Sequence, residues 1–430
     1  MNTLTKKSAS PDMEARGKRS AAVRRLARRF LLHRHFALLW LGSTISTFGS
    51  YITSIGLPVV ALLFLHATSA QVGLLEAAGA LPGLLAGLFI GVWVDRLPRR
   101  PIMLLANLGQ AALLVIIPLL AVAGLLHLAW LYLVVLLTGL LAVCFEVASL
   151  SFLPALLTPD ELTTGNSRLG TSESLAEVAG PPMAGLLISL LTAPVAILLD
   201  VLSFLFSAGC ISLIRVSERA HVLPGERAYI WREMREGLSV LWGNPILRAL
   251  AGYICTHTFF GGAYAALYLV YTFQLFGANP FAYSVLVALG GIGALVGSFG
   301  ANYCARRFGV GRTLVGSSLF FGWLSFCTPL ALGPWPLVFA LMATAQLVGD
   351  SGFAVYSINE ISLRQELVPG HLLGRVNACM HILSRGIMPL GALLAALLST
   401  VLDVRMILLL GSSGIFLASA WLVFSPLWRY

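Results

Sequence analysis

Charge is the scarcest commodity in this sequence. Only 11% of its 430 residues are Asp, Glu, Lys or Arg, against roughly 25% in ordinary soluble domains. That shortage argues against a soluble domain with a charged, hydrated surface. Cysteine is sparse too. The six cysteines (Cys144, Cys210, Cys255, Cys304, Cys327 and Cys379) each lie within or at the edge of an apolar run. They read as small core residues, which excludes a disulfide framework or a metal site. The chain has no Walker motif, no metal-ligand cluster and no nucleophile arrangement. Neither ATP as direct driver nor any cofactor is therefore expected. Nothing resembles a cleavable secretory signal, because the first apolar run is long enough to span a membrane.

What the chain has instead is apolar length. Hydrophobic residues make up 58% of it, and mean hydropathy is +0.88. Crossing a bilayer as a helix takes about 20 mainly apolar residues. The sequence predicts spans near 36–63, 70–94, 101–123, 128–158, 162–192, 194–215, 245–276, 280–304, 312–332, 334–363, 372–400 and 402–426. The fifth of these is too polar to be recognised by hydropathy alone. The expected partner is thus the lipid bilayer.

The excess of base over acid, a net +10, is a statement about topology. With the N-terminus inside, the basic residues collect on one side. Ten precede Phe36, three sit at 96–100, six between Arg215 and Arg248, and three at 306, 307 and 312. Arg364, Arg375 and Arg429 follow on the same side. Only Arg168, Arg385 and Arg405 fall elsewhere. Both termini are expected in the cytoplasm of a prokaryotic cell membrane. The basic tail follows from the same rule, and no nucleic-acid partner is expected.

Residues 216–244 are the only long polar connection, and they divide the spans six and six. The expected organisation is a basic tail at 1–35, a bundle at 36–215, a linker at 216–244 and a second bundle at 245–430. Within the linker, Ile230, Met234, Leu238 and Leu241 recur at helical spacing among charged residues, the pattern of an amphipathic helix on a membrane surface. The halves echo each other. Residues 151–166 match 361–377, with Pro159 opposite Pro369, Leu162 opposite Leu372, and Asn166 opposite Asn377 after one insertion. Pro182-Met-Ala-Gly-Leu-Leu likewise matches Pro389-Leu-Gly-Ala-Leu-Leu. Parallel six-helix repeats of this kind are the plan of a rocking-bundle transporter.

Residues 91–100, Gly-Val-Trp-Val-Asp-Arg-Leu-Pro-Arg-Arg, form a short basic turn between the second and third spans. With Asn-Ser-Arg-Leu at 166–169, Glu-Ser-Leu-Ala-Glu-Val-Ala-Gly-Pro at 173–181, and Ser-Leu-Arg-Gln…Leu-Leu-Gly-Arg-Val-Asn at 362–377, this layout resembles the major facilitator superfamily. The nearest resemblance is to the branch holding enterobactin exporters and macrolide-efflux pumps. It covers nearly the whole chain. Two departures stand out: Pro98 replaces a frequent glycine, and the matching loop after span 8 keeps its arginines but has no acid. The resemblance implies an all-α integral membrane fold of twelve transmembrane helices in two pseudo-symmetric six-helix bundles. It implies that spans 1, 4, 7 and 10 line a central cavity. It also assigns gating to Gly91, Asp95, Arg96, Arg99 and Arg100, the acid pairing with charged groups and with the start of span 11. In span 5, Gly180, Pro181 and Gly185 resemble the motif of exporters that run as antiporters; a packing kink is the alternative.

Acids within the spans are costly unless paired, solvated or protonated. Glu146 and Glu173 lie at similar depth, roughly 18 Å from one surface at 1.5 Å per residue. Glu177 is one turn beyond Glu173 on the same face. These acids could carry a coupling proton, or form static pairs with Arg168 or a partner helix; Glu177 fits the structural role better. Arg385 calls for a counter-charge, with Glu360, Asp350 or an acidic substrate as candidates. Asp200 could pair or cap and receives no role. Candidate cavity walls are the polar stripe Ser43, Thr47, Ser50 and Ser54, the aromatic face Tyr264, Tyr268 and Tyr271, and Tyr356 with Asn359. The expectation is a monomeric secondary transporter that exports a bulky amphipathic small molecule, a drug, siderophore or natural product, in exchange for protons. An importer or facilitator on the same fold, or a receptor that has lost transport, are the alternatives.

Overall fold

The computed structural model describes residues 11–94, 97–216, 227–277 and 279–429. Helices account for nearly all of them. They are α1 (Pro11–Val59), α2 (Ser69–Val94), α3 (Arg99–Val122), α4 (Leu128–Leu156), α5 (Pro159–Leu191) and α6 (Ala193–Ser212). There follow α7 (Arg227–Gly243), α8 (Pro245–Phe276), α9 (Pro280–Phe308), α10 (Val310–Leu324) and α11 (Trp335–Thr344). The chain closes with α12 (Asp350–Leu367), α13 (Gly370–Leu398), α14 (Val404–Ala418) and α15 (Ala420–Val423). A π-helical turn, Ala345–Gly349, joins α11 to α12 as one rod. Ten of the resulting helices are long and apolar enough to cross a membrane. With α2 and α10 they make the twelve of the expected fold. Helix α7 falls in the linker, and residues 217–226 of that linker lie outside the described residues.

Local sequence explains where the rods begin. Asn244 and Asn279 each precede a proline at the first helical position. The Asn244 side chain accepts hydrogen bonds from the Ile246 and Leu247 amides at 2.9 and 3.3 Å. Asn279 accepts from the Phe281 and Ala282 amides at 3.0 and 3.2 Å. An asparagine cap before a proline satisfies the amides a helix start leaves free. Thr158 opens α5 with a capping box closed by Glu161.

Packing sorts the rods into two groups. Helices α1 to α6 pack on one another, chiefly α1 on α6, α3 on α4 and α6, and α2 on α4. Helices α8 to α15 do the same, with α8 on α13 and α14, and α9 on α12. Two seams join the groups: α2 against α13, and α5 against α9. Helix α7 lies along α13, where Glu236 and Arg375 form an ion pair.

The buried apolar residues show which end is closed. One cluster combines both groups, including Ile52, Ile188 and Phe204 from the first and Leu267, Leu286 and Ala395 from the second. It occupies the end away from the basic turns. At the basic end there are two separate clusters. One, around Phe36, Met103, Phe152 and Ile211, belongs to the first group alone. The other, around Leu250, Tyr253, Tyr356 and Leu422, belongs to the α7–α15 side alone. The molecule is therefore zipped at its far end and splayed at its basic end. Glycines make the zipper: a Cβ on Gly73 of α2 would lie 3.1 Å from Ala396 of α13, and one on Gly291 of α9 would lie 3.2 Å from the Glu177 carbonyl of α5. Small residues allow such close backbone approach inside a membrane, where hydrophobic burial gives helices little reason to associate.

Candidate transport cavity

A recess of about 240 Å³ lies on the first group, lined from α1, α4 and α5. Ser43 and Thr47 of the predicted polar stripe face it, as do both Glu146 and Glu173. The two acids are exposed and open onto the recess. Trp40 donates to Ser172 at 2.8 Å and fixes α1 against α5 beside them. Thr47 donates back to the Ser43 carbonyl at 2.8 Å. Thr47, Ser50 and Ser54 thus satisfy themselves within their own helix, whereas the buried Ser43 hydroxyl has no partner among the described residues. The recess offers acids and hydroxyls beside apolar walls from Phe145, Leu150 and Leu169.

Other predicted residues fall in different places. Glu177 is exposed, and its carbonyl meets α9 at the seam. Arg168 and Arg385 are exposed, and neither forms an ion pair with another described residue. The counter-charge expected for Arg385 is not met: Glu360 instead pairs with Arg364 one turn away, at 3.4 Å. Neighbourhood along one helix outweighs pairing between helices here. The aromatic face is likewise not a free wall in this conformation. Tyr268 and Tyr271 are 5% and 4% exposed and belong to the joint cluster, with Tyr264 half-buried and stacked on Tyr268 at 5.8 Å. Tyr356 packs on Tyr253 at 4.4 Å between ring centroids. Asn359 is buried and donates to the Ala301 carbonyl at 3.2 Å. Both sit within the second group's interior rather than on its cavity face.

In α5, a Cβ on Gly180 would come within 2.6 Å of the Tyr51 ring. Gly185 abuts Ser284 and the Pro280 carbonyl of α9. Pro181 is buried between them. The motif that the sequence singled out is thus a contact surface, one face turned to α1 and the next to the opposite group.

Of the predicted gate, Asp95 and Arg96 lie outside the described residues, and Gly91 is placed only as part of α2. Arg99 begins α3. Arg100 reaches the C-terminus of α6, donating from Nε to the Ile211 carbonyl at 3.2 Å and from Nη2 to the Ser212 carbonyl at 2.7 Å. A cation is favoured at a helix C-terminus, and here it supplements the Ile214 amide, which also donates to the Ile211 carbonyl at 3.1 Å. Arg100→Ala is expected to fray this end of α6 and cost about 1–2 kcal/mol, as charged hydrogen bonds do. A thermal melt of the purified protein in detergent checks it.

A second cavity, of about 300 Å³, was not anticipated. It lies inside the first group, among α1, α2, α3, α4 and α6, and contains Glu76 and Asp200. Residues 70–94, predicted as a span, contain one acid, Glu76. An acid in an otherwise uncharged span was the signal that could have found it.

Twelve spanning helices, zipped at one end and parted at the other, with a polar recess on the first group, define a membrane transporter rather than an enzyme. The comparisons agree. The profile of the Major Facilitator Superfamily matches residues 39–390. The chain belongs to that superfamily, and is a multi-pass protein of the cell membrane. It is 27% identical over 381 residues to macrolide efflux protein A of Streptococcus pyogenes, covering 86% of this chain and 90% of that one. It is 27% identical over 393 residues to the multidrug efflux pump Tap of Mycolicibacterium fortuitum, covering 88% and 92%. Among solved structures, a bacterial homologue of the iron transporter ferroportin in an inward-facing state superposes with a TM-score of 0.69 at 17% identity, covering 91% of this chain and 98% of that one. The nucleoside transporter NupG superposes with a TM-score of 0.73 at 10% identity, covering 90% and 99%. At such identities the structural likeness concerns the fold alone.

Proposed function

We propose that this transporter exports a bulky amphipathic small molecule of the macrolide or drug class in exchange for protons, working as a monomer. The basic end and both termini face the cytoplasm, and the conformation described is open inward. Residues 36–215 and 245–430 move as two bundles, linked by 216–244 and preceded by the tail at 1–35. The observation that carries this reading is the recess onto which the exposed Glu146 and Glu173 open. A carboxylate there can receive a proton or a cationic substrate from the open side. Export is favoured by the relatives named as efflux proteins and by the α5 motif lodged in the α5–α9 seam. The gate at Gly91, Asp95, Arg96, Arg99 and Arg100 closes the basic end in the opposite state, where a carboxylate beside the start of α13 gains from the helix dipole. The cavity is completed by Ser50, Ser54, Tyr264, Tyr268, Tyr271 and Arg385 as the bundles turn.

Efflux of a labelled macrolide from cells is expected to collapse with a protonophore, and accumulation in inverted vesicles to require an inward-acid gradient. Glu146→Gln is expected to lose coupled export while reaching the membrane at normal levels. Undiminished export by that variant removes Glu146 from the mechanism, and uptake by intact cells reverses the direction.

A further inference from the structure

The cavity between α1, α2, α3, α4 and α6 holds two acids that the recess does not use. Asp200 lies on its floor, fully buried. Thr53 donates to one carboxyl oxygen and Ser203 to the other, the latter at 2.8 Å. Glu76 lines the same cavity from α2. Ser50 and Ser54 stand exposed at its mouth. Gln110 lines it from α3 and is 4% exposed. Its amide belongs to the wall shared with both acids.

The charge around the pair is one-sided. Among the described residues no Lys, Arg or His lines the cavity. Helix α1 presents Thr53, α3 presents Gln110, and α4 presents Thr138. Tyr132 of α4 is turned to α2, donating to the Gln71 carbonyl at 3.0 Å. Tyr283 of α9 lies within electrostatic reach of Glu76, with Tyr268 of α8 behind it at 5.9 Å between centroids. Two carboxyls without a basic neighbour inside a membrane protein are neutralised most simply by protons.

Position connects the pair to the moving parts. Glu76 is one turn along α2 from Gly73, the residue seated on Ala396 of α13 in the closed seam. Asp200 is bonded to α1, the helix whose Ser43 and Thr47 line the recess. A charge appearing at Glu76 therefore stands beside the seam that must part for the far end to open.

We infer that Glu76 and Asp200 form a second proton-loading site of the exchange cycle, inside the N-terminal bundle and apart from the Glu146–Glu173 recess. The site takes protons, with Thr53 and Ser203 holding the Asp200 carboxyl and Gln110 available to bond the Glu76 side. Protonated, the pair is compatible with the zipped far end. Release of the protons leaves charge next to the α2–α13 seam and favours its opening. This inference rests on the proton-exchange reading above.

The test uses the purified wild-type protein and dicyclohexylcarbodiimide, which attacks protonated carboxyls in apolar surroundings. Mass spectrometry is expected to place the label on Glu76 or Asp200, with the yield falling as pH rises and unaffected by sodium. No label on either residue, a yield independent of pH, or protection by sodium overturns the inference. Glu76→Gln and Asp200→Asn, reconstituted in liposomes, are expected to lose gradient-driven transport of a labelled macrolide while retaining macrolide counterflow. Full gradient-driven transport in both also overturns it. Protonophore-insensitive export by the wild type would instead defeat the exchange reading, and the carbodiimide arm reports on the site separately.

Discussion

Replacing Gly185 with leucine is expected to hold the far end open and stop export. Gly185 sits where α5 meets α9, and a Cβ there would overlap Ser284 and lie 3.0 Å from the Pro280 carbonyl. The neighbour is partly backbone, so it cannot rotate aside. A larger side chain costs about 1–3 kcal/mol in a packed site. That cost falls only on the conformation in which the seam is closed. A difference of this size changes a two-state ratio by about 5–150-fold. The readout is a cysteine at Ser284, which is fully buried in the closed seam. Ser284→Cys in the parent is expected to resist a membrane-impermeant maleimide applied to intact cells, and to react once Gly185→Leu is added. Continued protection in the double variant would show that this seam does not open.

Gly297→Leu is expected to damage folding rather than the cycle. Gly297 of α9 lies against the Ser351 carbonyl of α12, and a Cβ would also come within 2.8 Å of the Ser351 Cα. One turn earlier, Gly293 abuts the Leu347 carbonyl in the π-turn between α11 and α12. Helices α9 and α12 are packed together, and in the proposed cycle they turn as one bundle, so no alternative state relieves the overlap. The loss is expected at or above the upper end of the roughly 1–3 kcal/mol usual for overpacking. It should appear as a lower melting temperature and a poor yield of monodisperse protein in detergent. The contrast with Gly185→Leu is informative: one glycine lies between moving bundles and the other within a rigid one.

Much of the architecture was legible because it rests on local physics. Runs of about 20 apolar residues announce spans on their own. Asn244-Pro245 and Asn279-Pro280 mark helix starts within four residues of chain. The Pro159 and Pro369 repeat places α5 and α13 in corresponding positions of the two groups, and the structure seats each of them in one of the two seams. The site was less legible because its partners are distant in sequence. Nothing near Glu360 says whether Arg364 or Arg385 will pair with it. Tyr268 and Tyr271 share a helical face, but whether that face meets ligand or protein depends on which end of the molecule is closed. Glu76 was hidden by averaging: one acid scarcely lowers the hydropathy of a long span, although its cost within the membrane is high. Asp200 was seen and left without a role, since Thr53 stands 147 residues away along the chain.

The central claim is that two bundles pivot so that the cavity opens to one side at a time. Spin labels at Thr158 and Glu366 report the basic end, and labels at Thr68 and Thr400 report the far end; all four positions are exposed. Paired-label distances measured on protein in lipid, with and without a macrolide at acid and alkaline pH, test it directly. The account predicts opposite shifts: the Thr158–Glu366 distance shortens in the condition where Thr68–Thr400 lengthens. Distances that stay fixed under every condition, or that change in the same direction at both ends, would contradict it.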